Sequence, residues 1–67
     1  MIESDQELKV TRERVSYLLD LLARLRLSCR PEELGLVTSG YRAEVERMQR
    51  EMLDYLTQPA QTTAKAG

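Results

Sequence analysis

Three arginines, one cysteine and a scatter of carboxylates are the side chains in this 67-residue chain whose type and spacing bear on chemistry, and there is no histidine. Without an imidazole the commonest general base near neutral pH and the commonest metal ligand are missing, and hydrolytic triads that depend on histidine are excluded. Arg26 and Arg30 are one helical turn apart. Duplicated in a dimer together with Arg24, they would form a surface for nucleic-acid phosphates or an acidic partner. The plainer reading is a solvated helix face with positive charge near its carboxyl end. No aromatic platform interleaves these arginines, and Tyr17, Tyr41 and Tyr55 lie in no RNA-binding motif.

The carboxylates point the same way. Glu32 and Glu33 are adjacent, while Glu44, Glu51 and Asp54 are spaced along a helical pattern. They read as loop solvation and surface ion pairing, because a di-metal bundle would need inward carboxylates with Glu-x-x-His and no such motif occurs. Cys29 has no second cysteine to bond with, which suits a reducing compartment, and it reads as a small apolar residue near a helix end. Gly35, Gly40 and Gly67 cannot be arranged into a phosphate-cradling loop. No catalytic residue, metal ligand or cofactor is expected, and the chain is read as a non-enzyme.

The elements that must position these groups are helices. In residues 41–56, Tyr41, Val45, Met48, Met52 and Tyr55 recur at alternating steps of four and three, which lines one seam. Opposite charges three or four apart, such as Glu44 with Arg47, Arg42 with Glu46 and Arg47 with Glu51, support its other faces. In the first half Val15, Leu18, Leu22, Leu25 and Cys29 keep the same spacing, and Leu19 and Leu21 widen the stripe beyond a strict two-stranded seam. Ser4 with Glu7 matches a capping box, yet Thr11 is an equally good N-cap for the stronger pattern that follows. The expected helices are therefore residues 12–29 and 40–56. Residues 1–10 form an amino-terminal lead, 11–58 a helical hairpin, and 59–67 a disordered tail. Pro31 ends the first helix, Gly35 stops any short turn after it, and Thr38 or Ser39 caps the second.

Composition narrows the class. The chain is 42% hydrophobic and 31% charged, too apolar for a wholly disordered chain and too charged for a membrane one. No apolar run approaches the ~18 residues that span a bilayer, and MIESDQEL is acidic where a signal peptide would be basic. A cytoplasmic location with no membrane partner is expected. Below roughly 70–80 residues one core rarely stabilises a monomer unaided, so self-association is the default. The fold class expected is all-α, an antiparallel two-helix hairpin dimerising into a four-helix bundle. The seam consists of Val15, Leu18, Leu22 and Leu25 with Val45, Met48, Met52 and Tyr55. A helix-turn-helix DNA reader is set aside because 30–37 is too long for the usual 3–4-residue turn and no third helix supports the pair.

The stretches IESDQELKVTRERVSYLLDLLARL and GYRAEVERMQREMLDYL together resemble the amino-terminal helical region that precedes the DNA-binding domain in bacterial HigA-like helix-turn-helix antitoxins. The similarity lies in a short lead, a threonine cap, a leucine-rich helix and an Arg/Glu-laced helix ending in Tyr-Leu, and it covers nearly all of residues 1–56. The DNA-binding domain itself has no counterpart here. The resemblance implies a small bacterial regulatory or antitoxin-like protein that pairs with itself and with a toxin-like or regulatory protein, without reading an operator. The alternative is a dimeric helical bundle that binds nucleic-acid backbone through Arg24, Arg26 and Arg30.

Overall fold

The computed structural model describes residues 1–59. Two helices make up the fold, α1 (Asp5–Ser28) and α2 (Pro31–Leu56), and they pack against each other along their length as an antiparallel hairpin. Two cross-helix contacts fix direction and register. Arg14 lies 3.9 Å from Glu44, and the Tyr55 hydroxyl donates to Asp5 Oδ1 at 2.7 Å. The helices contain 24 and 26 residues, so at about 1.5 Å per residue neither overhangs the other by more than about one turn.

α1 begins at Asp5, seven residues before the expected start. Ser4 is extended, with φ −151° and ψ 163°, and its hydroxyl accepts from the Glu7 N–H at 3.2 Å. Glu7 Oε1 reaches back to accept from the Glu3 N–H at 2.8 Å, so two donors at the helix entrance are satisfied by one short motif. Asp5 and Glu7 also place negative charge in the first turn, where the helix dipole favours it. Thr11 is not a cap. It lies half-buried inside α1, on the same stripe as Leu8 and Val15.

The connection is two residues long, where the sequence suggested a loop over 30–37. Cys29 leaves the helix at φ −86° and ψ 154° while its N–H still donates to the Leu25 carbonyl at 2.8 Å. Arg30 is extended at φ −69° and ψ 143°, as a residue before proline must be. Pro31 then occupies the first turn of α2, where its missing N–H is no loss, and the Arg30 carbonyl accepts from Glu33 and Leu34 at 2.9 and 3.0 Å.

Gly35 and Gly40 therefore lie within a helix, both with negative φ, and they interrupt nothing. Each costs roughly 0.5–1 kcal/mol relative to alanine. That cost is offset because Leu34 and Thr38 carry the apolar stripe through the segment and are half-buried against α1. The expected caps Thr38 and Ser39 instead bond back within the helix, to the Leu34 carbonyl at 2.8 Å and the Leu36 carbonyl at 3.2 Å.

The far end of α2 agrees with the sequence. Thr57 closes it, with its N–H and hydroxyl both directed at the Leu53 carbonyl at 2.9 and 2.7 Å. Of the tail expected over 59–67, residues 60–67 lie outside the described residues.

Val15, Leu18, Val45 and Met48 form the core cluster, with Leu21, Leu22 and Met52 packed on it. Ile2 and Leu8 are buried further towards the open end of the hairpin. The core is one side-chain layer deep, and among the described residues no side chain falls below 2% exposure.

Candidate interaction surface

Each helix presents an unbroken seam. On α1 it runs Leu8, Thr11, Val15, Leu18, Leu22, Leu25, with Cys29 just past the helix end. On α2 it runs Leu34, Thr38, Tyr41, Val45, Met48, Met52, Tyr55. All of these are buried or half-buried except Tyr41, at 40% exposure. The structure thus brings together the sequence-expected residues Val15, Leu18, Val45 and Met48 in one cluster, packs Leu22 and Met52 against it, and leaves Leu25 and Tyr55 half-buried at the two ends. Leu8, Leu34, Thr11 and Thr38 are seam positions missed from the sequence. Extending each stripe backwards by alternate threes and fours would have found them.

Burial along the seam is uneven. Ile2, Leu8, Val15, Leu18, Val45 and Met48 all lie between the open end and the middle of the hairpin, and no residue between Leu18 and Val45 is buried. Yet that tip half contains Leu21, Leu22, Leu25 and Leu34, all half-buried, together with Val37 and Tyr41 at 42% and 40% exposure. Leu27 and Leu36 point outward at 82% and 83%. A half-molecule this rich in large apolar side chains and this poor in buried ones is where added apolar cover would contribute most.

One flank of the open half is charged and already organised. Glu44 Oε2 sits 3.0 Å from Arg47 and 3.9 Å from Arg14, and Arg47 reaches on to Glu51 at 3.2 Å. Hydrogen bonding to Glu44, reinforced by the charges of Glu44 and Glu51, raises the Arg47 pKa further above its ordinary value. Arg42 pairs with Glu46 at 3.0 Å. Glu44 and Glu51 are half-buried by this chain of contacts, so two of the three carboxylates weighed for metal or acid–base work on α2 are engaged in pairing, while Asp54 is exposed and makes no ion pair among the described residues.

The three arginines do not converge. Arg24 and Arg26 are two residues apart on α1, which at about 100° per residue turns them to nearly opposite sides. Arg30 lies beyond the helix in the connection, 3.9 Å from both Glu32 and Glu33. Cys29 is a half-buried free thiol on the seam.

At the other end Met1, Ile2, Asp5, Asp54, Tyr55 and Leu56 border an open cleft of about 790 Å³. There the Tyr55–Asp5 hydrogen bond holds the phenol protonated and raises its pKa above the ordinary value, with burial and the charges of Asp5 and Glu7 adding to the effect. Among the described residues no three side chains of metal-binding type converge. None of the described helices is long and apolar enough to cross a membrane.

The two-residue connection removes loop length as an objection to a helix-turn-helix. The packing replaces it with a stronger one, since the helices run antiparallel along their whole length, whereas that motif crosses at about 90–120°. The chain matches no family model, and no curated protein or solved structure matches it.

Proposed function

We propose that this chain is a non-enzymatic protein–protein interaction module, a helical hairpin that dimerises into a four-helix bundle and acts as an antitoxin-like or regulatory partner in the cytoplasm. The observation that carries the reading is the uneven core: six buried apolar residues from the open end to the middle of the hairpin, none between Leu18 and Val45, and leucine, valine and tyrosine side chains left half-covered towards the tip. Covering each of those leucines is worth on the order of 1.5–3 kcal/mol when complete, which exceeds what surface ion pairs add. The antitoxin-like assignment rests on the resemblance of both helical stretches to the helical region of HigA-like antitoxins. In favour of binding over catalysis, the polar groups best placed for chemistry already hold structural partners: Tyr55 with Asp5, and Glu44 with Arg14 and Arg47.

The test is affinity capture of the tagged chain from its own cells, with native mass spectrometry of the eluate. A homodimer, joined at fixed stoichiometry by a second protein, is the expected result. A lone monomer would overturn the reading, and a dimer holding nucleic acid that is released as salt rises would replace it with the arginine-surface alternative.

A further inference from the structure

The hairpin has two flanks, and one of them is built to receive a second copy. Val10, Arg14, Tyr17 and Leu21 recur on α1 at steps of four, three and four. Val37, Gly40, Glu44, Arg47 and Glu51 recur on α2 at alternate threes and fours. Because Arg14 reaches Glu44, these two rows share one side of the molecule. With the helices antiparallel, moving from that pair towards the tip brings Tyr17 and Leu21 level with Gly40 and Val37. Tyr17 is 61% exposed, and a Cβ added at Gly40 would meet nothing within 4 Å. The hairpin's own packing gives no reason for glycine there. A surface that must come close to this helix from outside does.

Charge decides the occupant and its direction. The open end carries Glu3, Asp5, Glu7, Glu51 and Asp54 against Lys9, Arg50 and the amino terminus, a net acidic end, whereas the tip carries Arg24, Arg26 and Arg30 against Glu32 and Glu33, a net basic one. Two hairpins aligned in the same direction would set one acidic end beside another. Reversed, each tip comes to the level of Glu7 and Glu51 on the second copy, and Arg24, which continues the Leu21 row and makes no ion pair among the described residues, gains a carboxylate to face.

We infer that a second copy of this chain docks on the Tyr17–Leu21–Val37 flank, antiparallel to the first, about a two-fold axis passing beside Gly40. The inference rests on the self-association proposed above and goes further in naming the face and the direction. It also accounts for the exposure of Tyr17 and Val37, which the second copy covers.

Two measurements on the full chain test it. In sedimentation equilibrium, Gly40→Leu raises the dimer dissociation constant at least tenfold, and Gly35→Leu, five residues away on another face and equally open, leaves it within about twofold. Both variants keep wild-type helicity by circular dichroism, since leucine is the better helix former. A spin label on Cys29, one per tip, reports a separation of about 30 Å in the antiparallel dimer, because each tip lies some ten residues from the axis. A Gly40→Leu dimer as tight as wild type, or labels within about 15 Å, would overturn the inference while leaving a dimer. A wild-type chain that stays monomeric would instead remove the self-association on which it rests.

Discussion

The Tyr55 hydroxyl donates to Asp5 Oδ1 at 2.7 Å, tying the last turn of α2 to the first turn of α1 across fifty residues of chain. It is the one cross-helix hydrogen bond between side chains among the described residues, and it lies at the end of the hairpin that the two-residue connection does not hold. Its pKa consequence has a definite sign. The bond favours the protonated phenol, so the stability it contributes is fully present below the ordinary tyrosine pKa near 10 and is lost as pH rises through the higher folded value. Thermal melts between pH 7 and 11.5 should show wild type losing stability on the alkaline side and Tyr55→Phe, already weaker at pH 7, losing less. Parallel curves would show that the bond does not form in solution.

The start of α1 depends on Ser4. Replacing Ser4 by alanine removes the acceptor for the Glu7 N–H and should cost about 1 kcal/mol in urea denaturation, within the usual 0.5–2 kcal/mol for an N-cap. Circular dichroism should lose the signal of a turn or more. Thr11→Ser, which keeps a hydroxyl but removes a seam methyl, should leave helix length unchanged, because Thr11 is an interior position of α1.

Met48 is the least exposed residue of the core cluster, at 4%. Truncation to alanine should cost about 2–5 kcal/mol. Against a core of six buried side chains, that loss should leave the chain largely unfolded at 37 °C, as read by helicity and by loss of a cooperative melt.

Leu22 packs on the same cluster from the half-covered side. Leu22→Asp puts a carboxylate into the seam with no cation opposite it, and the dimer should weaken at least about tenfold, or about 1.4 kcal/mol. Wild-type molar mass and helicity in that variant would place the seam elsewhere.

Gly35 offers the opposite result. Its φ is negative and nothing lies within 4 Å of an added Cβ, so Gly35→Ala should stabilise the protein by about 0.4–1 kcal/mol in the same urea titration.

The helical class, the pairing of the helices and most of their seam were legible in the sequence because a three-four apolar alternation has only one regular backbone that gathers it on one side. The Arg47 and Arg42 ion pairs were legible for the same reason. The helix starts were not. Thr11 and Thr38 read locally as caps and Gly35 as a stop, since in an isolated peptide those residues favour helix ends. In the folded chain both threonines occupy seam positions, and tertiary packing carries the helix past the two glycines. Within one hairpin the three arginines do not share a face. Spacing along the chain places Arg24, Arg26 and Arg30 close together, while the turn of the helix and its end at Ser28 send them in different directions.

Sedimentation equilibrium of the purified chain across a hundredfold concentration range bears most directly on the central claim, that the half-covered tip requires a second chain. The account predicts twice the mass of one chain at the upper concentrations, dissociating on dilution with some loss of helicity. A single-chain mass throughout, with undiminished helicity and a cooperative melt, would contradict it.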